Sequence, residues 1–232
     1  MVRPDFSKPL LQVALDFTRI DDALRIAEIA WSCGADIIEA GTPLIKAEGL
    51  RAVEVLRREL PDATIVADMK TVDVGDLEVR MAAEAGADIV TVMGFSWDST
   101  IMAAVEQAKR QGVLVEADLM YVEDPVKRSS ELKKIGVDIV GIHIGIDVQK
   151  RMGLTAGSVA DLVRRVVESF GGVVSVAGGI KAEHVPSLIN AGAKIIVVGS
   201  AITRARDPGV ATRRIREAIL KTVERGFGES IQ

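Results

Sequence analysis

Six ionisable residues, Asp16, Glu39, Asp68, Lys70, Asp118 and His143, each close a short apolar run of the chain. In an extended run, side chains alternate between two faces, so Asp68 and Lys70 point the same way. The same parity groups Gln12, Ala14 and Asp16, Ile37 and Glu39, and Glu116 and Asp118. If those faces look inward, four carboxylates and one ammonium meet at one mouth. Carboxylates gathered in a dry pocket must be neutralised, which calls for Lys70 and a divalent cation. Taken alone, Asp16 reads as a turn or helix cap, and His143 as an ordinary hydrogen-bonding histidine. Glu39 and Asp68 are different: they close neighbouring buried runs, where uncompensated charge is costly, so they read as functional.

A second signal lies in the last third of the chain. Ala177 to His184 reads AGGIKAEH and Val198 to Thr203 reads VGSAIT. Backbone groups near Gly178, Gly179, Gly199 and Ser200 could surround a phosphate there, with Arg204 and Arg206 just beyond as extra charge or as solvated helix-face residues.

The elements that must position these groups follow from a repeat. GADII at Gly34, GADIV at Gly86, GVDIV at Gly136 and GAKII at Gly192 recur about every fifty residues. Midway between them lie Leu10 to Asp16, Thr64 to Lys70, Val113 to Asp118 and Val173 to Ala177, which completes eight buried strands. Amphipathic stretches, among them Asp21 to Cys33, Ala47 to Leu60, Ser99 to Gln111 and Val159 to Ser169, read as helices. Several end at a glycine suited to a left-handed cap. The expectation is an α/β fold, a single (β/α)8 TIM barrel over residues 1–232. In such a barrel the six ionisable residues share the C-terminal rim. Asp36, Asp88, Asp138 and Lys194 open their strands and belong to the opposite rim as structural groups. Pairs such as Arg57-Arg58 read as solvated outer faces.

Composition narrows the class. The 29 Lys and Arg are outnumbered by 33 Asp and Glu, for a net charge of −4. That balance disfavours nucleic acid and anionic membranes as partners. Cys33 is the one cysteine, so a disulfide scaffold or thiolate metal module does not fit. With neither an export leader nor a long apolar span, a cytoplasmic location is expected.

Asp68-Met69-Lys70-Thr71-Val72-Asp73 has the D-x-K-x-x-D pattern and resembles the orotidine 5′-monophosphate decarboxylase suprafamily. LQVALD (Leu11 to Asp16), EAGTPLIKAEGL (Glu39 to Leu50), ADMKTVDVGDLE (Ala67 to Glu78), HIGIDVQ (His143 to Gln149), AGGI (Ala177 to Ile180) and VGSAI (Val198 to Ile202) are similar to its 3-hexulose-6-phosphate synthases. This resemblance implies an aldol reaction joining formaldehyde to D-ribulose 5-phosphate, or its reversal. It implies Mg2+, with Mn2+ as the alternative, on Glu39 and Asp68. His143 would be the base, Lys70 would balance charge, and Asp16 and Asp118 would orient hydroxyls or Lys70. Asp73 would reach a neighbouring subunit's site, so a homodimer with shared active sites is expected. The 3-keto-L-gulonate 6-phosphate decarboxylases are the nearest rival. They carry an arginine where this chain has Ile146, and Gly-Arg where it has Gly199-Ser200. A Schiff-base aldolase using Lys70 and a silent sugar-phosphate-binding barrel are further alternatives.

Overall fold

Each fifty-residue repeat folds as two strand–helix units. The computed structural model describes residues 4–143 and 156–229. Its parallel strands are β1 (Leu10–Leu15), β2 (Ile37–Ala40), β3 (Thr64–Thr71), β4 (Ile89–Met93), β5 (Leu114–Asp118), β6 (Ile139–His143), β7 (Val173–Ala177) and β8 (Ile195–Val198). They close in chain order, with β8 pairing back onto β1. Around them run α1 (Ile20–Ser32), α2 (Thr42–Glu48), α3 (Arg51–Glu59), α4 (Gly75–Glu84), α5 (Asp98–Gln111), α6 (Pro125–Ile135), α7 (Ala156–Phe170), α8 (Val185–Asn190), α9 (Ser200–Thr203) and α10 (Pro208–Glu229). The barrel expected from the repeat is the fold observed. None of the described helices is long and apolar enough to cross a membrane.

Helix faces follow the apolar spacing. α1 buries Ile20, Ala23, Ile26, Ala27 and Ala30 against the barrel, the stripe that a 3.6-residue period dictates. Gly34, Gly86, Gly112, Gly136 and Gly192 all adopt positive φ, where a Cβ would be strained. The stretch expected as one helix from Ala47 to Leu60 is instead two, because Gly49 at φ 67 ends α2 and turns the chain. β1 stops at Leu15, which places Asp16 just beyond the strand.

At the N-terminal rim, three aspartates act as clasps. Asp36, Asp88 and Asp138 accept the backbone N–H of Leu11, Ile65 and Val115 at 2.8, 2.8 and 2.9 Å. Each returns its own N–H to the carbonyl of the same residue. Arg57 is not the solvated residue that its sequence suggests. Its guanidinium pairs with Asp88 and donates to the carbonyls of Pro61, Ala63 and Gly86.

Inward side chains from alternate strands stack in layers of four in such a barrel, and the observed register defines them. Ile37, Ile89, Ile139 and Ile195 form an apolar layer. Above it lie Gln12, Val66, Glu116 and Ser175, then Glu39, Thr91, Gly141 and Val197, then Ala14, Asp68, Asp118 and Ala177. All of these except Ala177 are buried. The barrel is therefore apolar at one end and increasingly ionisable toward the other.

Candidate active site

A cavity of about 460 Å³ opens at the C-terminal rim, lined among others by Asp16, Glu39, Asp68, Lys70, Asp118 and His143. All six rim residues therefore converge. β3 reaches the site through an irregularity: Ala67 pairs with Val90 but Thr71 pairs with Val92, so two extra residues are accommodated between them. Lys70 lies in this segment at φ 49, a conformation that L-residues with a Cβ seldom adopt and that clusters at functional sites. Thr91 holds it there by accepting the Lys70 N–H at 2.9 Å while donating its hydroxyl to Asp68 Oδ1 at 2.8 Å.

Lys70 Nζ lies 3.2 Å from Asp68 Oδ1 and 2.6 Å from Asp118 Oδ2. Burial works against its charge, yet Asp68 and Asp118 outweigh it and raise the ammonium above its usual value. Such a lysine stays protonated and is a poor Schiff-base nucleophile. Asp118 Oδ2 also meets His143 Nδ1 at 3.1 Å, and its Oδ1 accepts the Met120 N–H at 2.8 Å. Burial would raise Asp118, but the bonds and charges of His143 and Lys70 hold it below the usual carboxylate value. An ionised Asp118 accepts from Nδ1–H, which leaves the lone pair on Nε2.

Glu39 is held from below by Gln12, whose amide donates to Oε2 at 2.6 Å. Burial pushes Glu39 well above its ordinary range, and the Asp68 and Asp16 charges push it further. Asp68 Oδ2 faces Thr42, which could donate its hydroxyl either there at 2.6 Å or to the Asp68 carbonyl at 2.8 Å. A hydroxyl carries one proton. When Thr42 serves the carbonyl, Asp68 Oδ2 keeps only the Thr42 N–H at 3.3 Å and has a lone pair free for a cation.

The glycine-rich loops arrive at the same cavity. Gly178, Gly179, Gly199 and Ser200 line it together with Arg204. Gly178 and Gly179 both have positive φ, at 116° and 62°, so side chains are excluded from this turn. A Cβ on Gly41 would collide with the Asp16 carboxylate and the Leu15 carbonyl, which explains the glycine opposite Asp16.

The chain matches the family described as "Orotidine 5'-phosphate decarboxylase / HUMPS family" over residues 9–215. It belongs to that family. It is 40% identical to the 3-hexulose-6-phosphate synthase of Mycobacterium gastri, over 90% of this chain and 99% of the relative. A crystal structure of 3-hexulose-6-phosphate synthase superposes with a TM-score of 0.86 at 40% identity, covering 90% of this chain and 99% of the other. The 3-keto-L-gulonate-6-phosphate decarboxylase of Vibrio cholerae gives a TM-score of 0.83 at 31% identity, over 93% and 99% of the two chains. These matches bear out the family resemblance and the reading of the chain as an enzyme.

Within the family scaffold, the six rim residues line the cavity, and Asp73, expected from the resemblance, does not. Asp73 is exposed on the loop after β3, where its carboxylate accepts the Val74 N–H. Ile146 and the HIGIDVQ segment beyond His143 lie outside the described residues. Sequence reasoning passed over Gln12, Thr42, Thr91, Glu116 and Ser175 as site residues. They are neutral or lie deeper in the strands, so strand-end position did not flag them; only inward parity marked Gln12 and Glu116. Among the described residues, no three His, Cys, Asp or Glu side chains are arranged around a common point. A cation here would rest on two carboxylates and on water or substrate oxygens, the habit of Mg2+. The raised Glu39 and the releasable Asp68 Oδ2 fit that demand.

Proposed function

We propose that this chain catalyses the Mg2+-dependent aldol addition of formaldehyde to D-ribulose 5-phosphate, giving D-arabino-3-hexulose 6-phosphate, or the reverse. The observation that carries the reading is the chain of contacts His143–Asp118–Lys70–Asp68 at the mouth of the barrel. It joins a base to a fixed positive charge, as formation and quenching of an enediolate require. The synthase names of the relatives at 40% identity support the same choice.

The sugar phosphate binds with its phosphate against the amides near Gly178, Gly179, Gly199 and Ser200. Arg204 supplies the cation there, in place of the arginine that the decarboxylases carry at the Ser200 position. His143 Nε2 takes a proton from C1, and the electron pair moves onto the C2 oxygen as the enediolate forms. Lys70 offsets that charge, while Asp118 holds both Lys70 and the imidazole in place. C1 then bonds to the formaldehyde carbon, and the formaldehyde oxygen takes back the proton from His143. Glu39 and Asp68 would hold a Mg2+ or Mn2+ ion, which would supply Lewis-acid stabilisation of negative charge developing on the substrate.

Asp73 on its exposed loop is assigned to a neighbouring subunit's site, in a homodimer. Exposed Val72, Val74, Leu77, Met81, Trp97 and Met102, on α4, α5 and the loops before them, support an apolar subunit contact. The net charge supports an enzyme without a nucleic-acid or membrane partner, working in the cytoplasm.

The deciding experiment incubates the protein with ribulose 5-phosphate, formaldehyde and Mg2+, with and without EDTA, beside a parallel assay on 3-keto-L-gulonate 6-phosphate. Chelator-sensitive hexulose phosphate formation is expected. Turnover of the keto acid alone would replace this reading with decarboxylation.

A further inference from the structure

Beneath the reacting groups lies a polar layer that the mechanism leaves idle. Glu116 and Gln12 occupy it from β5 and β1, which face each other across the barrel axis. Both are buried, at 6% and 2% exposure, and both line the cavity. Glu116 Oε1 accepts the Ser175 hydroxyl. The carboxyl group fills the space beside Gly141, where a Cβ would come within 2.7 Å of Oε1 and 3.0 Å of Ser175 Oγ. Among the described residues, Glu116 Oε2 and Gln12 Oε1 are buried without a hydrogen-bond partner. Two orphans in one layer require an explanation.

Both atoms are acceptors while Glu116 is ionised, and two acceptors cannot satisfy one another. A proton on Glu116 changes this, because Oε2 then becomes a donor and Gln12 Oε1 is its complement. Of the charged and titratable groups that face Glu116, Asp118 and Asp68 favour the proton and Lys70 opposes it. Asp118 stands above it on β5, Asp68 and Lys70 come from β3, Glu39 from β2, Asp16 from beyond β1 and His143 from β6. β4, β7 and β8 contribute the uncharged Thr91, Ser175 and Val197 to the same walls. Lys70 is already committed to Asp68 and Asp118, so the surroundings are otherwise mainly acidic. Burial, only partly offset by the Ser175 bond, pushes Glu116 up to about 7.

We propose that Glu116 is a positioning residue held as a neutral carboxylic acid, whose hydroxyl reaches Gln12 Oε1 through one buried water and so fixes the amide that clamps Glu39. A buried water is reasonable at this place because polar partners await it on both sides. The effect on turnover rests on the aldol reading above; the protonation of Glu116 does not.

Infrared difference spectroscopy of the intact protein tests the protonation without substrate. At about pH 6, where ordinary carboxyl groups are ionised, the wild type is expected to show a protonated-carboxyl C=O band beyond that of the raised Glu39, isolated in the wild-type-minus-Glu116→Gln difference spectrum. Kinetics test the positioning. Glu116→Gln keeps a donor and an acceptor and should retain wild-type kcat, whereas Glu116→Leu should lower kcat roughly 10- to 100-fold, the usual effect of losing a group that orients a ligand. KM for ribulose 5-phosphate should hold, because the phosphate loops are untouched. The wild type should lose activity as Glu116 ionises above neutral pH, and Glu116→Gln should lack that limb. A missing band, or a Glu116→Gln variant as impaired as Glu116→Leu, would overturn the proposal. If the leucine variant does not fold, the band and the pH profile of Glu116→Gln still decide. A chain that shows the band yet makes no hexulose phosphate keeps the neutral acid and removes only the aldol reading.

Discussion

At the level of single side chains, the proposed mechanism makes His143 the base and Asp118 its orienter. Replacing His143 by Ala should lower kcat by about 10²- to 10⁴-fold, the usual worth of general base catalysis. Exchange of the C1 proton of ribulose 5-phosphate with deuterated water, measured without formaldehyde, should fall in parallel. Arg204→Gln should instead raise KM by about tenfold or more, as expected for a lost charge-assisted bond, with little change in kcat. Steady-state kinetics distinguish the two patterns. Glu116 also makes a prediction about stability. Its folded value of about 7 lies above its ordinary 4.5. Between those pH values the unfolded chain has lost the proton and the folded chain keeps it, so stability falls as pH rises through that window and levels off above it. The loss is on the order of 3 kcal/mol. Urea titrations at several pH values should show a flatter decline for Glu116→Gln.

At the level of strands and helices, the two rims of the barrel carry separable duties. Asp88 clasps the start of β3 and anchors Arg57, far from the cavity. Asp88→Asn should leave a half-buried guanidinium poorly matched and destabilise the fold by roughly 1–3 kcal/mol, with kcat preserved below the transition. Chemical denaturation beside an activity assay checks both halves. Gly141→Ala should act from within the barrel, because its Cβ meets Glu116 and Ser175 and overpacking costs about 1–3 kcal/mol. These elements also show what the sequence discloses. The GADI repeats and their capping glycines announce eight strands because the cause is local: an apolar run and a positive φ. The bulge at Lys70 is not announced, since the strained backbone is held by Thr91 from the next strand. Nor is the Gln12–Glu116–Ser175 layer, which exists only once the barrel closes and brings residues more than fifty positions apart to one height. The carboxylates at strand ends were legible because strand direction alone fixes their rim.

At the scale of the whole molecule, the exposed apolar residues on α4 and α5 and the outward Asp73 make one linked prediction. Sedimentation should give a dimer. Asp73→Asn and His143→Ala, each severely impaired alone, should regain up to about a quarter of wild-type activity after unfolding and refolding together, since half the random dimers are mixed and each holds one intact site. Absence of recovery would confine each site to a single subunit. The four isoleucines beneath the polar layer have a consequence for traffic. They cork the barrel, so among the described residues no passage opens through its floor, and whatever enters the cavity must come and go by the same gate. On the aldol reading, a five-carbon sugar seated across that gate would leave passage only for something very small, and a one-carbon aldehyde is the smallest carbonyl compound there is. Larger aldehydes, arriving second, would find the way barred.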